Sequence, residues 1–213
     1  MTLCARRHGL NLLRVGLAAA LCAALTTQST RAAQPLSGSD SVTIHAEKQG
    51  DAVAVQARAV LIAPLALIWE TLTDYDKFHT FIPGMQISRV MDRRGSLVTV
   101  KQQGEAGFLI FTQSIDVMVE ALEKPPYAIS VRVLSGNLKK LDGRYHIEPD
   151  LNVAGQFVLQ WFGTIEPQFS LPPLIGVPIL RANISDQFRG MVREIERRTE
   201  LLRVLPANLK NSE

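Results

Sequence analysis

The sequence predicts an α+β domain in which an antiparallel sheet is closed by one long C-terminal helix. Three observations carry that expectation. Apolar residues alternate with polar ones from Met85 to Glu166, the period of half-buried strands. The links between those runs are short and rich in Gly, Pro and Asp, which favours antiparallel neighbours. Past Ile179 the apolar spacing becomes helical and stays so for several turns.

The elements follow in chain order. Val42, Ile44 and Ala46 alternate as one strand, Gln49-Gly50-Asp51 turns the chain, and Val53, Val55, Ala57, Ala59 and Leu61 form the inner face of a second. Pro64 suits the start of a helix, where its missing N–H leaves no bond unmade. Leu65, Ile68, Trp69 and Leu72 continue that helix, and a second short one spans Asp76 to Ile82 until Pro83-Gly84 stops it. Strands are expected at Met85–Met91, Ser96–Gln103, Phe111–Leu122, Tyr127–Ser135, Lys139–Glu148 and Gln156–Ile165. Their turns fall at Asp92–Gly95, Gly104–Gly107, Lys124–Pro126 and Pro149–Gly155. The last helix is expected over Ile179–Leu202. Its buried stripe is Leu180, Ile184, Phe188, Met191, Ile195 and Leu202, with Thr199 the polar member. Arg189, Arg193, Glu196, Arg197 and Glu200 take the opposite, solvated side. A curved sheet wider than one helix can cover is expected to leave a cavity.

The N-terminal residues 1–32 have the pattern of a secretion signal: basic Arg6, Arg7 and Arg14, then the apolar run Val15–Leu25, then small residues before a cut ahead of Ala33. The run is too short for a membrane span, which takes about 20 apolar residues. His8 and Gly9 match a twin-arginine signal poorly, and Leu21 before Cys22 disfavours a lipoprotein site. Residues 33–41 read as a linker, 42–205 as the domain and 206–213 as a tail. The whole chain has 213 residues and a net charge of +3, from 23 basic and 20 acidic side chains. Four arginines lie in residues 1–32, so 19 basic side chains face 20 acidic ones in the rest. A basic nucleic-acid footprint is therefore missing, and no nucleic-acid partner is expected. Cys4 and Cys22 also lie in the signal, which leaves the domain without thiol chemistry. Periplasmic residence is the expectation that follows.

Ile62-Ala63-Pro64, Ile68-Trp69, Leu72-Thr73-Asp74-Tyr75, Phe81-Ile82-Pro83-Gly84, Gly136, Gly143-Arg144-Tyr145 and Glu148-Pro149 together carry a family resemblance. In their order and spacing the chain resembles the START-like (SRPBCC) superfamily with the helix-grip fold. The match is to the polyketide cyclase/dehydrase and coenzyme Q-binding branch, over about residues 52–203. The resemblance implies a hydrophobic tunnel between a curved sheet and the C-terminal helix, holding a lipid, isoprenoid or polycyclic molecule. The residues that suit its wall are Phe108, Phe111, Tyr145, Trp161, Phe169, Phe188 and Met191. Gly84 departs from that branch, whose members carry an aromatic residue there, so the ligand is not carried across.

The apolar hairpin Gly107–Phe111 and the proline-rich segment Pro167–Pro178 fit a lid, a transient membrane contact or a packed connection. Hydrolytic, metal and nucleotide motifs are absent, and His45, His79 and His146 stand far apart, so no catalytic residue, metal or cofactor is assigned. Asn183-Ile184-Ser185 is a formal glycosylation acceptor inside a helix. Asp142, Arg144, His146 and Glu148 share a strand face expected to meet solvent. So do the polar strand residues Lys101, Gln103, Gln113, Asp116 and Arg132, which a cyclase would instead need inside. The expected function is carriage of a hydrophobic small molecule. The alternatives are a cyclase/dehydrase-like enzyme and an envelope module that binds a protein partner.

Overall fold

The structure is a computed structural model that describes residues 37–108, 111–168 and 174–210, the side chains of 108, 111 and 205–210 excepted. The chain runs β1 (Thr43–Gln49), β2 (Ala52–Ile62), α1 (Leu65–Thr73), α2 (Phe78–Phe81), then six strands. These are β3 (Met85–Arg94), β4 (Leu97–Phe108), β5 (Phe111–Lys124), β6 (Ala128–Gly136), β7 (Leu138–Pro149) and β8 (Gln156–Pro167), and α3 (Gly176–Lys210) follows. The expected helix-grip architecture is present. One 8-stranded antiparallel sheet, in the order β1-β2-β8-β7-β6-β5-β4-β3, presents its inner face to α3.

Alternation decides which side chains fill the core. In β2, Val53, Val55, Ala57, Ala59 and Leu61 are all buried, and β8 pairs along them with Leu159, Trp161 and Ile165 pointing the same way. Val98 and Val100 of β4 and Val117, Val119 and Ala121 of β5 continue this face. Phe188, Met191, Val192 and Ile195 of α3 pack onto it. Gly50 turns the β1–β2 hairpin with φ +64°, as a primed two-residue loop requires.

Two expectations need correction. Gly104–Gly107 is not a turn: β4 continues to Phe108, opposite Phe111, so the reversal lies between those two residues. The glycine serves a close backbone approach instead. A Cβ on Gly104 would lie 2.3 Å from the Gly84 carbonyl oxygen, and the Glu105 amide donates to that oxygen at 2.8 Å. Leu202 is 49% exposed rather than buried, and Leu201 and Val204 beside it are exposed too. Past Thr199 the helix outruns the sheet that it covers.

Arg189 and Glu196 do more than face solvent. Arg189 Nη1 donates to the Ser39 carbonyl at 2.6 Å, and the Ser39 amide donates to Glu196 Oε2 at 3.2 Å. These bonds dock the short 3-10 turn Gly38–Ser41 on α3. The secretion-signal pattern of residues 1–32 lies outside the described residues. Among the described residues no helix is long and apolar enough to cross a membrane.

Candidate functional site

A cavity of about 180 Å³ lies between the inner sheet face and α3, and the cleft that continues outward from it encloses about 980 Å³ with its solvent-open part. Its wall is mainly apolar, as burial of alternate strand positions dictates. Four residues expected at the ligand wall line it: Tyr145 and Trp161 from the sheet, Phe188 and Met191 from the helix. The side chains of Phe108, Phe111 and Phe169 lie outside the described residues. Leu72 of α1, Tyr75 of the 3-10 turn Tyr75–Lys77 and Phe78 at the start of α2 close one side.

Two glycines shape the floor. Gly143 and Gly163 are cross-strand partners on β7 and β8, and the Trp161 indole lies flat across both. A Cβ on Gly163 would come within 2.5 Å of the indole, and one on Gly143 within 2.9 Å. The indole therefore spans the cavity floor because neither neighbour has a side chain. Tyr145 packs beside it, ring centroids 6.4 Å apart. Gly163→Ala is expected to displace the indole, lowering stability by about 1–3 kcal/mol by overpacking. Urea unfolding and the near-ultraviolet circular dichroism of Trp161 would register it.

Burial grades along the cavity. Leu72, Tyr75, Ala121 and Ile129 are each at most 5% exposed and form a closed end. Gln102, Leu141, Ile184 and Gln187 are half-buried and form the open end. Asn183 fastens the helix near that opening: it accepts from the Gly107 amide at 3.0 Å and donates to the Gly107 carbonyl at 3.2 Å. The asparagine that read as a glycosylation acceptor is thus a strand-to-helix clasp.

No Asp, Glu, Lys, Arg or His lines the cavity among the described residues. Its polar groups are Gln102, Gln187 and the phenols Tyr75 and Tyr145. The Tyr75 hydroxyl is buried and makes no hydrogen bond of normal geometry, with the Glu123 carboxylate as its polar neighbour. Burial, with the Glu123 carboxylate adding to it, pushes that phenol far above its usual range. Burial alone pushes Tyr145 up to about 12. Both therefore stay protonated and able to donate. Glu123 is bonded by Arg93 at 3.0 and 3.2 Å, so its charge is already balanced.

Lys101, Gln103, Asp116 and Arg132 lie on the outer face, whereas Gln113 has the inner-face parity of Ile115 and Val117 but is exposed near the end of β5. Lys101 pairs with Asp116, which Gln103 also reaches at 2.7 Å, and Arg132 pairs with Glu120 at 2.6 Å. His146 meets Glu148 at 3.2 Å on the same outer face. None of them lines the cavity.

Sequence reasoning missed one partly buried ionic cluster, centred on Glu194. Glu194 receives Arg197 and Arg198 at 2.7 Å, and Arg198 reaches on to Asp74 Oδ2 at 2.8 Å while lying 5.7 Å from the Phe81 ring. It ties α3 to the end of α1 and so fixes the roof of the cavity. The spacing Glu194, Arg197, Arg198 was the available signal, since residues three and four apart share a helix face.

A sheet gripping one long helix with an apolar cavity between them defines a helix-grip domain. The chain belongs to the polyketide cyclase / dehydrase and lipid transport family, whose description matches residues 61–192, within the START-like superfamily. Among solved structures, it is similar to the STAR-related lipid transfer protein from Xanthomonas axonopodis, with 13% identity, 74% of this chain and 94% of that one covered, and a TM-score of 0.60. It is also similar to the Zhui aromatase/cyclase from Streptomyces sp. R1128, with 16% identity, coverage of 69% and 95%, and a TM-score of 0.58. A START superfamily protein from Mycobacterium smegmatis shares 17% identity over 70% of this chain and 98% of that one, with a TM-score of 0.54. At these identities the likeness is one of fold. No curated protein sequence matches.

Proposed function

We propose that the domain binds a hydrophobic small molecule in the sheet–helix cavity and carries it outside the cytoplasm. The observation that carries this reading is an apolar cavity with a closed end, an open end and no ionised lining group among the described residues. Burying apolar ligand surface there contributes roughly 25 cal/mol per Å². A volume of 180 Å³ is below the roughly 300–1,000 Å³ of drug-sized pockets and near that of a cavity that binds benzene. The ligand accordingly puts one ring or a short chain end inside and lays the rest in the outer cleft.

Both a lipid transfer protein and an aromatase/cyclase share this fold. Carriage is the better reading because a cyclase needs a base as well as a proton donor at the reacting carbonyl. The two phenols supply donors only, and Glu123 is held by Arg93 outside the cavity wall. Export rests on the secretion-signal pattern of residues 1–32, and cell fractionation with N-terminal sequencing tests it: a mature start at Ala33 is expected.

Transient membrane contact at the apolar segments around Phe108–Phe111 and Pro167–Pro178 belongs to the same proposal. Leu174 is 97% exposed and Ile175 42% exposed just before α3. The double change Leu174→Ser, Ile175→Ser is expected to slow transfer of a fluorescent lipid to vesicles about tenfold or less, with stability unchanged because exposed apolar residues contribute little. Extraction and mass spectrometry of protein purified from the periplasm test the reading as a whole. A near-stoichiometric apolar molecule is expected. Finding none, together with no uptake of a fluorescent lipid, would overturn it.

A further inference from the structure

The chemistry of the cavity wall narrows the ligand class, given that the cavity is a binding site at all. We propose that the ligand is a neutral molecule carrying an acceptor oxygen, a carbonyl or hydroxyl, which enters oxygen-first and accepts a hydrogen bond from Tyr145 at the closed end. Anionic lipids and carboxylates are excluded from the same seat.

Three observations converge on this. First, the closed end is made of Leu72, Ala121, Ile129 and the two phenols, and Tyr75 and Tyr145 are near enough to influence each other's ionisation. Second, the enclosed Tyr75 hydroxyl makes no hydrogen bond of normal geometry and has the Glu123 carboxylate as its polar neighbour, whereas Tyr145, which lines the cavity with part of its surface uncovered, makes no side-chain hydrogen bond among the described residues. A phenol left uncovered on an otherwise apolar wall keeps its donor available, and burying it under a ligand costs stability unless the ligand brings an acceptor. Third, no cation lines the wall to balance a negative headgroup. Arg93, the cation that acts on Tyr75, is committed to Glu123 at 3.0 Å. A carboxylate seated there would be a buried, uncompensated charge beside an existing carboxylate, which is prohibitive. The same two phenols welcome a neutral oxygen, because they remain protonated donors.

Tyr145 is the better placed of the two. It keeps part of its surface uncovered although it stands at the deep end, beside Trp161 on the cavity floor, whereas the Tyr75 hydroxyl is fully enclosed. The open end has the two amides Gln102 and Gln187, which suit a solvated tail and demand no charge.

Three probes of similar size separate the terms: ethylbenzene, acetophenone and benzoate, titrated by calorimetry at pH 8 against the mature domain and its Tyr145→Phe variant. In a purely apolar cavity ethylbenzene would win, since a carbonyl loses water on entering. The expected ranking is acetophenone first, ethylbenzene about several-fold weaker, and benzoate weaker than ethylbenzene by at least about tenfold. Tyr145→Phe is expected to weaken acetophenone about tenfold and leave ethylbenzene within about twofold. The proposal is overturned if benzoate binds as tightly as acetophenone, or if wild-type protein prefers ethylbenzene. It is likewise overturned if a folded Tyr145→Phe protein keeps the acetophenone preference. The wild-type ranking decides the matter even if the variant does not fold. Binding of ethylbenzene without any carbonyl preference sinks this inference alone, while failure of all three probes sinks the carrier reading with it.

Discussion

Phe188→Ala is expected to be the most destabilising single change at the cavity and also the one that widens its ligand range. Phe188 is 4% exposed and holds the roof of the cavity against the sheet. Truncating a buried phenylalanine costs about 3–5 kcal/mol, and the lower half of that range is expected because one side of this ring already faces empty space. The new volume joins the existing 180 Å³. A two-ring molecule such as naphthalene should then bind more tightly than to wild type, and saturating it should recover stability by mass action. Denaturant unfolding with and without naphthalene measures both halves. A loss of stability with no gain in naphthalene affinity would mean that the wall collapses and that α3 does not hold a rigid roof.

Glu194→Gln is expected to lower stability by about 2–3 kcal/mol near neutral pH, because it leaves Arg198 short of its buried carboxylate. Glu194 is 8% exposed and anchors the cluster that reaches Asp74 at the end of α1. The bond from Arg197 chiefly, with those from Arg198, holds its carboxyl below the ordinary value, although burial opposes them. A carboxyl whose folded pKa is lowered stabilises fully above its unfolded value, ordinarily about 4.3, and loses that contribution as pH falls through the folded one. The gap between wild type and Glu194→Gln should therefore be constant from about pH 6 to 8 and shrink toward zero below about pH 4. Parallel urea titrations test this, since the other carboxyls cancel between the two proteins. A gap that persists undiminished at low pH would show that shape, and not charge, holds α1 to α3.

The fold was legible because burial imposes two periods that survive in the sequence. The alternation of Val53, Val55, Ala57, Ala59 and Leu61 gave β2 its inner face, and the stripe Phe188, Met191, Ile195 gave α3 its own. What was misread depended on contacts between distant segments. Gly104 reads as a turn residue until Gly84 is seen to cross 2.3 Å from where its Cβ would stand. Leu202 keeps the helical stripe in register, but no local rule says where the sheet beneath it ends. Within the site, Tyr145, Trp161, Phe188 and Met191 could be named because large aromatic or flexible side chains on inner faces are visible from alternation. Gly143 and Gly163, which let the indole lie flat, carry no such signal. Nor does Tyr75, whose enclosure emerges only when the 3-10 turn Tyr75–Lys77 comes close to Glu123 of β5 and Tyr145 of β7.

The central claim is that a molecule enters between α3 and the inner face of the sheet. Crystals of the protein soaked with bromobenzene test it directly, since the anomalous signal of bromine places the ring without ambiguity. The account predicts a peak among Trp161, Phe188 and Met191, inside the 180 Å³ cavity. Bromine sites confined to the outer face of the sheet, with that cavity left empty, would contradict it.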